Sequence, residues 1–125
     1  METKFSFEDL AVWQKAVEFY RKIILTIEKI ETDRKHYRLF EQLESASTSI
    51  ALNIAEGKGR FSKKEFIHFL YIARGSLYET ITILIIFNKN GWINESTLNE
   101  LKFSGVDIGK MISSLINSIK KSIKQ

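Results

Sequence analysis

The chain has 125 residues, 44% of them hydrophobic, which is the size and composition of one globular domain and not of a disordered segment. It contains no cysteine, which excludes disulfides, catalytic thiolates and zinc–thiolate sites. The net charge of +4 is unevenly placed: residues 1–57 carry 8 Lys/Arg and 10 Asp/Glu, whereas residues 58–125 carry 11 and 5. An anionic partner is therefore expected to bind the second half.

The N-terminus lacks the apolar stretch of a signal peptide, and the longest strongly apolar run, residues 81–87, is too short to span a bilayer. The absence of proline allows long uninterrupted helices. We therefore expect a cytoplasmic protein with no membrane association.

The first periodic segment predicts a helix over residues 7–31 with Ser6 as its N-cap. Its apolar side chains recur every three or four residues and form a seam that Ala16, Ile23 and Ile30 widen: Leu10, Trp13, Val17, Tyr20, Ile24 and Ile27. The second segment predicts a helix over residues 34–56 that stops at Gly57. Its seam has the same spacing: Tyr37, Phe40, Leu43, Ser47, Ile50 and Ile54.

The third segment predicts a helix over residues 63–88, with Ser62 as N-cap and Glu65 completing a capping box. It is apolar on several faces, which indicates either a central helix or contact with another subunit. The fourth segment predicts a helix over residues 95–122 capped by Asn94. Gly105 and Gly109 interrupt its seam and allow either close packing or a bend.

Four helices joined by short loops predict an all-α fold, a single antiparallel up-and-down four-helix bundle over residues 1–125.

The sequence contains no recognised motif for metal or cofactor binding. The sequence Gly57-Lys58-Gly59 lacks the other glycines of a dinucleotide fingerprint and follows no strand. His36 and His68 lie on different predicted helices without a ligand set around them. We therefore expect no metal, no cofactor and no small-molecule substrate.

A basic cluster is the strongest candidate binding feature. Lys58, Arg60, Lys63 and Lys64 fall within seven residues, with Phe61 among them. One interpretation is binding of a nucleic-acid backbone, with base stacking on Phe61. The other is a solvated loop and first helical turn, and the sequence leaves both open.

A second polar group flanks the turn between the second and third helices: Asn53, Glu56, Arg74 and Glu79. Charged residues in such apolar surroundings are expected to be paired, with Arg74 bridging Glu56 or Glu79. The group lacks a nucleophile and a tuned base, so it predicts a structural polar network and not a catalytic site.

Long stretches of this sequence resemble a known family: Phe7–Leu10, Val12–Ala16, Ser49–Gly57, Gly59–Arg60, Ser62–Phe66 and Phe69–Thr80. The chain is similar to the four-helix-bundle proteins encoded in intervening sequences of bacterial 23S rRNA genes. That family includes the accessory variability protein of diversity-generating retroelements. Leu52 stands where the family often has proline, so the second helix is expected to run straighter here.

The resemblance implies a bundle that assembles into a ring, commonly a pentamer, with a basic surface. In the retroelement members the ring binds a reverse transcriptase and nucleic acid. The leading prediction is therefore a non-enzymatic homo-oligomeric accessory protein that binds RNA or DNA through Lys58, Arg60, Lys63 and Lys64, with a reverse transcriptase as a further partner. A protein-interaction scaffold without a nucleic-acid role is the alternative. An enzyme using Glu56, Arg74 or Glu79 is the least favoured.

Overall fold

The computed structural model describes residues 2–124, and within that range it contains helices and no strand. After a short 3-10 turn at Ser6–Asp9, the helices are α1 (Ala11–Glu28), α2 (Tyr37–Lys58), α3 (Lys63–Lys89) and α4 (Glu95–Lys124). Each of α1–α2, α2–α3, α3–α4 and α1–α4 is a packed pair. The predicted all-α four-helix bundle is confirmed.

The first helix begins later than its sequence pattern predicts. Leu10 has an extended backbone (φ −74°, ψ 121°), which separates the 3-10 turn from α1. Ser6 lies inside that turn and does not cap α1; instead the Glu8 carboxylate accepts a 2.7 Å hydrogen bond from the Phe5 N–H. The predicted start at residue 7 is wrong because the turn packs the Phe7 ring on Trp13, with centroids 5.0 Å apart.

The connection between α1 and α2 is longer than predicted. It runs over residues 29–36, where the Thr32 hydroxyl accepts a 3.1 Å hydrogen bond from the Arg34 N–H. Local side-chain bonds of this kind compete with helical ones. At the end of the connection the His36 ring packs on Trp92, with centroids 4.5 Å apart. α1 and α2 are therefore both shorter at this end than the sequence indicates.

The buried face of α1 lies one residue away from the main predicted seam and includes Ala16 and Ile23, which the prediction placed beside that seam. Val12, Ala16, Phe19 and Ile23 are the α1 residues in the core. All six residues of the main predicted seam are only half-buried, at the margins of this face. Both sets have helical spacing, so periodicity alone did not distinguish two neighbouring faces of a broadly apolar helix. The predicted seam of α2 falls largely on buried residues, whereas Tyr37 is exposed.

Gly57 is a packing residue and not the predicted helix stop. α2 continues through it to Lys58, and Gly59 follows as the C-cap. A Cβ at Gly57 would lie 2.8 Å from Phe69 Cβ and 2.9 Å from Phe66 Cδ1, both on α3. Only a residue without a side chain allows this approach of the two helices. Gly57 thus sets the distance between α2 and α3 next to the turn that joins them.

Gly105 serves close packing within an uninterrupted α4. A Cβ there would lie 2.8 Å from Ile81 Cδ1 of α3. α2 is likewise uninterrupted through Leu52, as the departure from proline predicts.

α3 packs against α2 and α4 and has eight buried residues. By length and composition it is apolar enough to cross a membrane, but the core helix of a soluble bundle has the same composition. Some of its apolar side chains remain on the surface, among them Tyr71, Ile72, Tyr78 and Ile86.

Candidate nucleic-acid interface

The basic cluster lies on the tight turn between α2 and α3. The Ser62 hydroxyl accepts a 3.1 Å hydrogen bond from the Glu65 N–H, so the predicted N-cap of α3 is confirmed. The side chains of Lys58, Arg60, Lys63 and Lys64 are all exposed. The turn therefore presents four cations to solvent from a rigid pair of helix ends.

The four cations are not equivalent. Arg60 donates a 2.7 Å hydrogen bond to the Glu56 carboxylate and lies 4.8 Å from the Phe69 ring centroid. Lys58 lies above the Phe66 ring at 6.0 Å. Within residues 2–124, Lys63 and Lys64 form no ion pair. The lysines thus keep their full charge for an anionic partner, whereas Glu56 partly offsets the charge of Arg60.

Phe61 is the most exposed large apolar side chain of the turn, with a relative accessibility of 105%. Nothing in the hydrophobic core requires an aromatic residue at this position. Its accessible ring is suited to stacking on a nucleobase.

Antiparallel packing adds cations that the sequence pattern did not assign to this site. Lys120 of α4 contacts Tyr71 of α3, and Ser113 contacts Arg74, so α4 runs back toward the start of α3. The C-terminal lysines of α4 therefore approach the same end of the bundle as the turn: Lys120, Lys121 and Lys124, all exposed. Their position follows from the helix lengths and the up-and-down topology, which are the signals that reveal them.

A compact cationic cluster lies beside this end, on the α3–α4 face. Lys120 Nζ donates a 2.8 Å hydrogen bond to the Tyr71 hydroxyl, and the Arg74 guanidinium lies 4.9 Å from the Tyr71 ring centroid. The hydrogen bond from Lys120, helped by the charges of Lys120 and Arg74, holds the pKa of Tyr71 below its ordinary value. Arg74 also donates a 3.3 Å hydrogen bond to Ser113 Oγ. We call Tyr71, Arg74, Ser113 and Lys120 the cationic cluster.

The predicted structural polar network does not form. Glu56 pairs with Arg60, and Asn53 donates to the Ser49 carbonyl and hydroxyl, both at 2.8 Å. Arg74 binds Ser113, and Glu79 is exposed to solvent. The prediction is wrong because Arg74 lies 11 residues into α3, roughly 16 Å along the axis from the turn that carries Glu56, and because Glu79, five residues further on, lies on a different face of α3.

A groove of about 770 Å³ runs between α3 and α4 from the cationic cluster. Its floor includes Leu77, Ile81 and Gly105, and the charged side chains that line it are Lys102 and Lys110. Among residues 2–124, no carboxylate lines it. Ser113 belongs both to the groove and to the cationic cluster, so the two form one continuous surface.

Metal binding finds no support in the part of the chain that the structure describes, where no three His, Asp or Glu side chains converge. His36 packs on Trp92, and His68 is exposed beside Phe69.

The fold and the basic end define a class of protein: a small all-α bundle with cations gathered at one end and along one face. A comparison with family models gives a match over residues 8–114 to the 23S rRNA-intervening sequence proteins. The chain belongs to this family.

A solved structure agrees with that assignment. The chain is similar to a protein of unknown function from the S23 ribosomal protein family of Bacteroides thetaiotaomicron, with 25% identity and a TM-score of 0.78. The similarity covers 85% of this chain and 98% of the other. A comparison with curated proteins gave no match.

Proposed function

We propose that this protein is a non-enzymatic, homo-oligomeric accessory protein that binds RNA or DNA through the basic end of its bundle. The observation that carries the proposal is the gathering of the turn cations and the α4 lysines at one end. Lys58, Lys63 and Lys64 have no acidic partner among residues 2–124, which favours an anionic one. Nucleic acid is the polyanion that such a patch recognises through its phosphates.

Assembly into a ring, with five copies as the expected number, is the second part of the proposal. Apolar side chains on the outer faces of α2 and α3 support it, since Leu52, Ile72 and Ile86 remain exposed in one copy. Burying them against a second copy would remove apolar area from water. A ring would also repeat the basic end and add the fields of its copies.

The partners and place of action follow from these two parts. The resemblance to retroelement accessory proteins suggests a reverse transcriptase as protein partner. A nucleic-acid-binding role fits a bacterial cytoplasm. An enzymatic role is not proposed, because Glu56, Arg74 and Glu79 lie apart on the surface without a shared substrate position.

Fluorescence anisotropy with labelled RNA and DNA oligonucleotides at low salt tests the nucleic-acid role. We expect binding that weakens steeply with salt, because released counterions drive it. Replacing Lys58, Arg60, Lys63 and Lys64 together by glutamine should flatten the salt dependence and lower affinity at least tenfold. A matched variant with neutralised lysines at the other end, Lys29→Gln with Lys89→Gln, should bind almost as the wild type does.

The absence of any binding to RNA or DNA at low salt would contradict the proposal. Analytical ultracentrifugation tests assembly, and a monomer at micromolar concentration would contradict the ring.

A protein-interaction scaffold is the second candidate function, favoured by the same exposed apolar residues. It would be supported by an oligomer that binds no nucleic acid.

A further inference from the structure

We propose that the α3–α4 groove binds one single strand of nucleic acid, with a phosphate held by the cationic cluster and bases stacked on Tyr78. This inference deepens the proposed function and rests on it. It assigns a site and a ligand form that differ from those of the turn, where the exposed cations make no distinction between single strands and duplexes.

The phosphate position follows from unbalanced charge. Arg74 and Lys120 flank Tyr71, and neither forms an ion pair with a carboxylate within residues 2–124. Arg74 is half-buried and uses one of its five N–H donors on Ser113. A half-buried cation gains from a counter-ion, and the planar guanidinium matches the oxygens of a phosphate. Arg74 and Lys120 are thus placed to share one phosphodiester group.

The aromatic side chains supply the stacking surface. Tyr78 lies two helical turns after Tyr71, roughly 10 Å along α3, and 64% of its surface is exposed. Gly75 lies on the same face between them, and a Cβ added there would meet nothing within 4 Å. The gap leaves the Tyr78 ring open to a flat ring, whereas the Tyr71 ring is already in contact with Arg74 and Lys120. Bases stack on such side chains with little regard to sequence.

The shape of the groove selects one strand. It lies between two directly packed helices, whose axes are typically 8–10 Å apart. Gly105, Gly109 and Ser113 follow one another at intervals of four residues along α4, and their small side chains leave the α4 wall of the groove shallow. Unpaired bases can lie against its floor, whereas bases stacked inside a duplex are not available to an aromatic side chain.

Cations continue along the groove at intervals that suit a bound strand. Lys120, Lys110 and Lys102 span 18 residues of α4, about 27 Å. Lys102 and Lys110 are the charged residues of the groove lining, and both are positive. An acidic peptide helix would also satisfy the charge. The exposed Tyr78 ring, on which a base can stack, is what favours nucleic acid over a peptide.

Anisotropy titrations of the full chain with 12-nucleotide single strands of RNA and of DNA, and with duplexes of the same sequences, test the inference. We expect single strands to bind more tightly than duplexes. Tyr78→Ala should weaken single-strand binding fivefold or more by loss of stacking. Lys120→Gln should weaken it and reduce the salt slope by about 0.7, the share of one phosphate contact. Arg74→Lys keeps the charge but loses the planar fork, and should weaken it as well.

Lys22→Gln on α1 is the matched control, since it removes one exposed lysine away from the groove and should leave affinity unchanged within twofold. Circular dichroism confirms that each variant is folded. If the wild type binds and the turn variant abolishes binding while all three groove variants match Lys22→Gln, the groove inference fails and the proposed function stands. Equal affinity for single strands and duplexes, or a groove that binds an acidic helical peptide without competing with oligonucleotides, would also overturn it. If the wild type binds no nucleic acid, both fail together.

Discussion

The Lys120 ammonium on α4 donates a 2.8 Å hydrogen bond to the Tyr71 hydroxyl on α3. The ammonium also lies 5.4 Å from the centre of the Tyr71 ring. This pair is separated by 49 residues in sequence, so it reports directly on the packing of α4 against α3.

The ionisation of Tyr71 should depend on Lys120. Because the hydrogen bond and the positive charge favour tyrosinate, the pKa of Tyr71 lies below its ordinary value. Lys120→Met should return it upward, measured as the ultraviolet absorbance titration of tyrosinate. The difference between each protein and its Tyr71→Phe counterpart isolates this tyrosine from the other three. Lys121→Met, one residue along the helix, should leave the midpoint in place.

The sign of the linked stability effect follows from the lowered pKa. While Lys120 keeps its proton, the extra stability from ionised Tyr71 is present above the ordinary pKa of tyrosine and is lost as the pH falls through the lowered pKa. An identical Tyr71 midpoint in the wild type and in Lys120→Met would show that the two side chains do not meet in solution.

Two glycines on neighbouring helices should respond to alanine in opposite directions. At Gly57 the new Cβ would meet Phe69 Cβ and Phe66 Cδ1 below 3.0 Å, and the nearby Phe66 carbonyl at 3.3 Å limits relaxation. We expect Gly57→Ala to lower the free energy of unfolding by about 1–3 kcal/mol through overpacking. At Gly75 nothing lies within 4 Å, so Gly75→Ala should raise it by up to about 1 kcal/mol through helix propensity.

Urea denaturation followed by circular dichroism measures both variants. A Gly57→Ala protein as stable as the wild type would mean that α2 and α3 are farther apart near the turn than they are in this structure. A destabilised Gly75→Ala protein would indicate that this face of α3 is covered in the assembled protein.

The cap of α3 and the charge of the turn can be separated at Ser62. Ser62→Ala removes the acceptor for the Glu65 N–H and should cost about 0.5–2 kcal/mol of unfolding free energy. Ser62→Asp keeps a capping oxygen and a favourable charge at the helix N-terminus, so its stability should stay close to that of the wild type. It also places a carboxylate among the turn cations, so affinity for oligonucleotides should fall.

Parallel urea titrations and anisotropy measurements on the two variants distinguish these effects. Strong oligonucleotide binding by Ser62→Asp would argue that the turn does not contact the ligand. Equal stability of Ser62→Ala and the wild type would argue that the cap contributes little.

The helices and their order could be predicted from the sequence because apolar periodicity and helix caps are local signals. Ser62 and Asn94 cap their helices as predicted, the latter by accepting a 2.8 Å hydrogen bond from the Thr97 N–H. The features that could not be predicted depend on contacts between segments that are distant in sequence. The sequence alone indicates that Gly57 ends the second helix. Its packing role becomes evident only from the contacts with Phe66 and Phe69 of α3.

The candidate site shows the same limit. The turn cations are close together in sequence, so the sequence pattern identifies them. Lys120 approaches them only because α4 packs antiparallel to α3. Arg74 was given a carboxylate partner by proximity in sequence, but its position along α3 gives it Ser113 and Tyr71 instead. Interactions set by the rise of a helix over many residues are invisible to a local pattern.

The one-residue shift of the α1 core face gives the most direct test of the packing. Phe19 is fully buried, whereas Tyr20, which the periodic seam included, is only half-buried. Phe19→Ala should therefore cost about 3–5 kcal/mol of unfolding free energy, the usual loss for a buried phenylalanine. Tyr20→Ala should cost markedly less, because its ring already contacts water. Urea denaturation of both variants compares two adjacent aromatic truncations on one helix. If Tyr20→Ala were the more destabilising variant, α1 would bury the seam that periodicity predicts. Its orientation in the bundle would then differ by a rotation of about 100°.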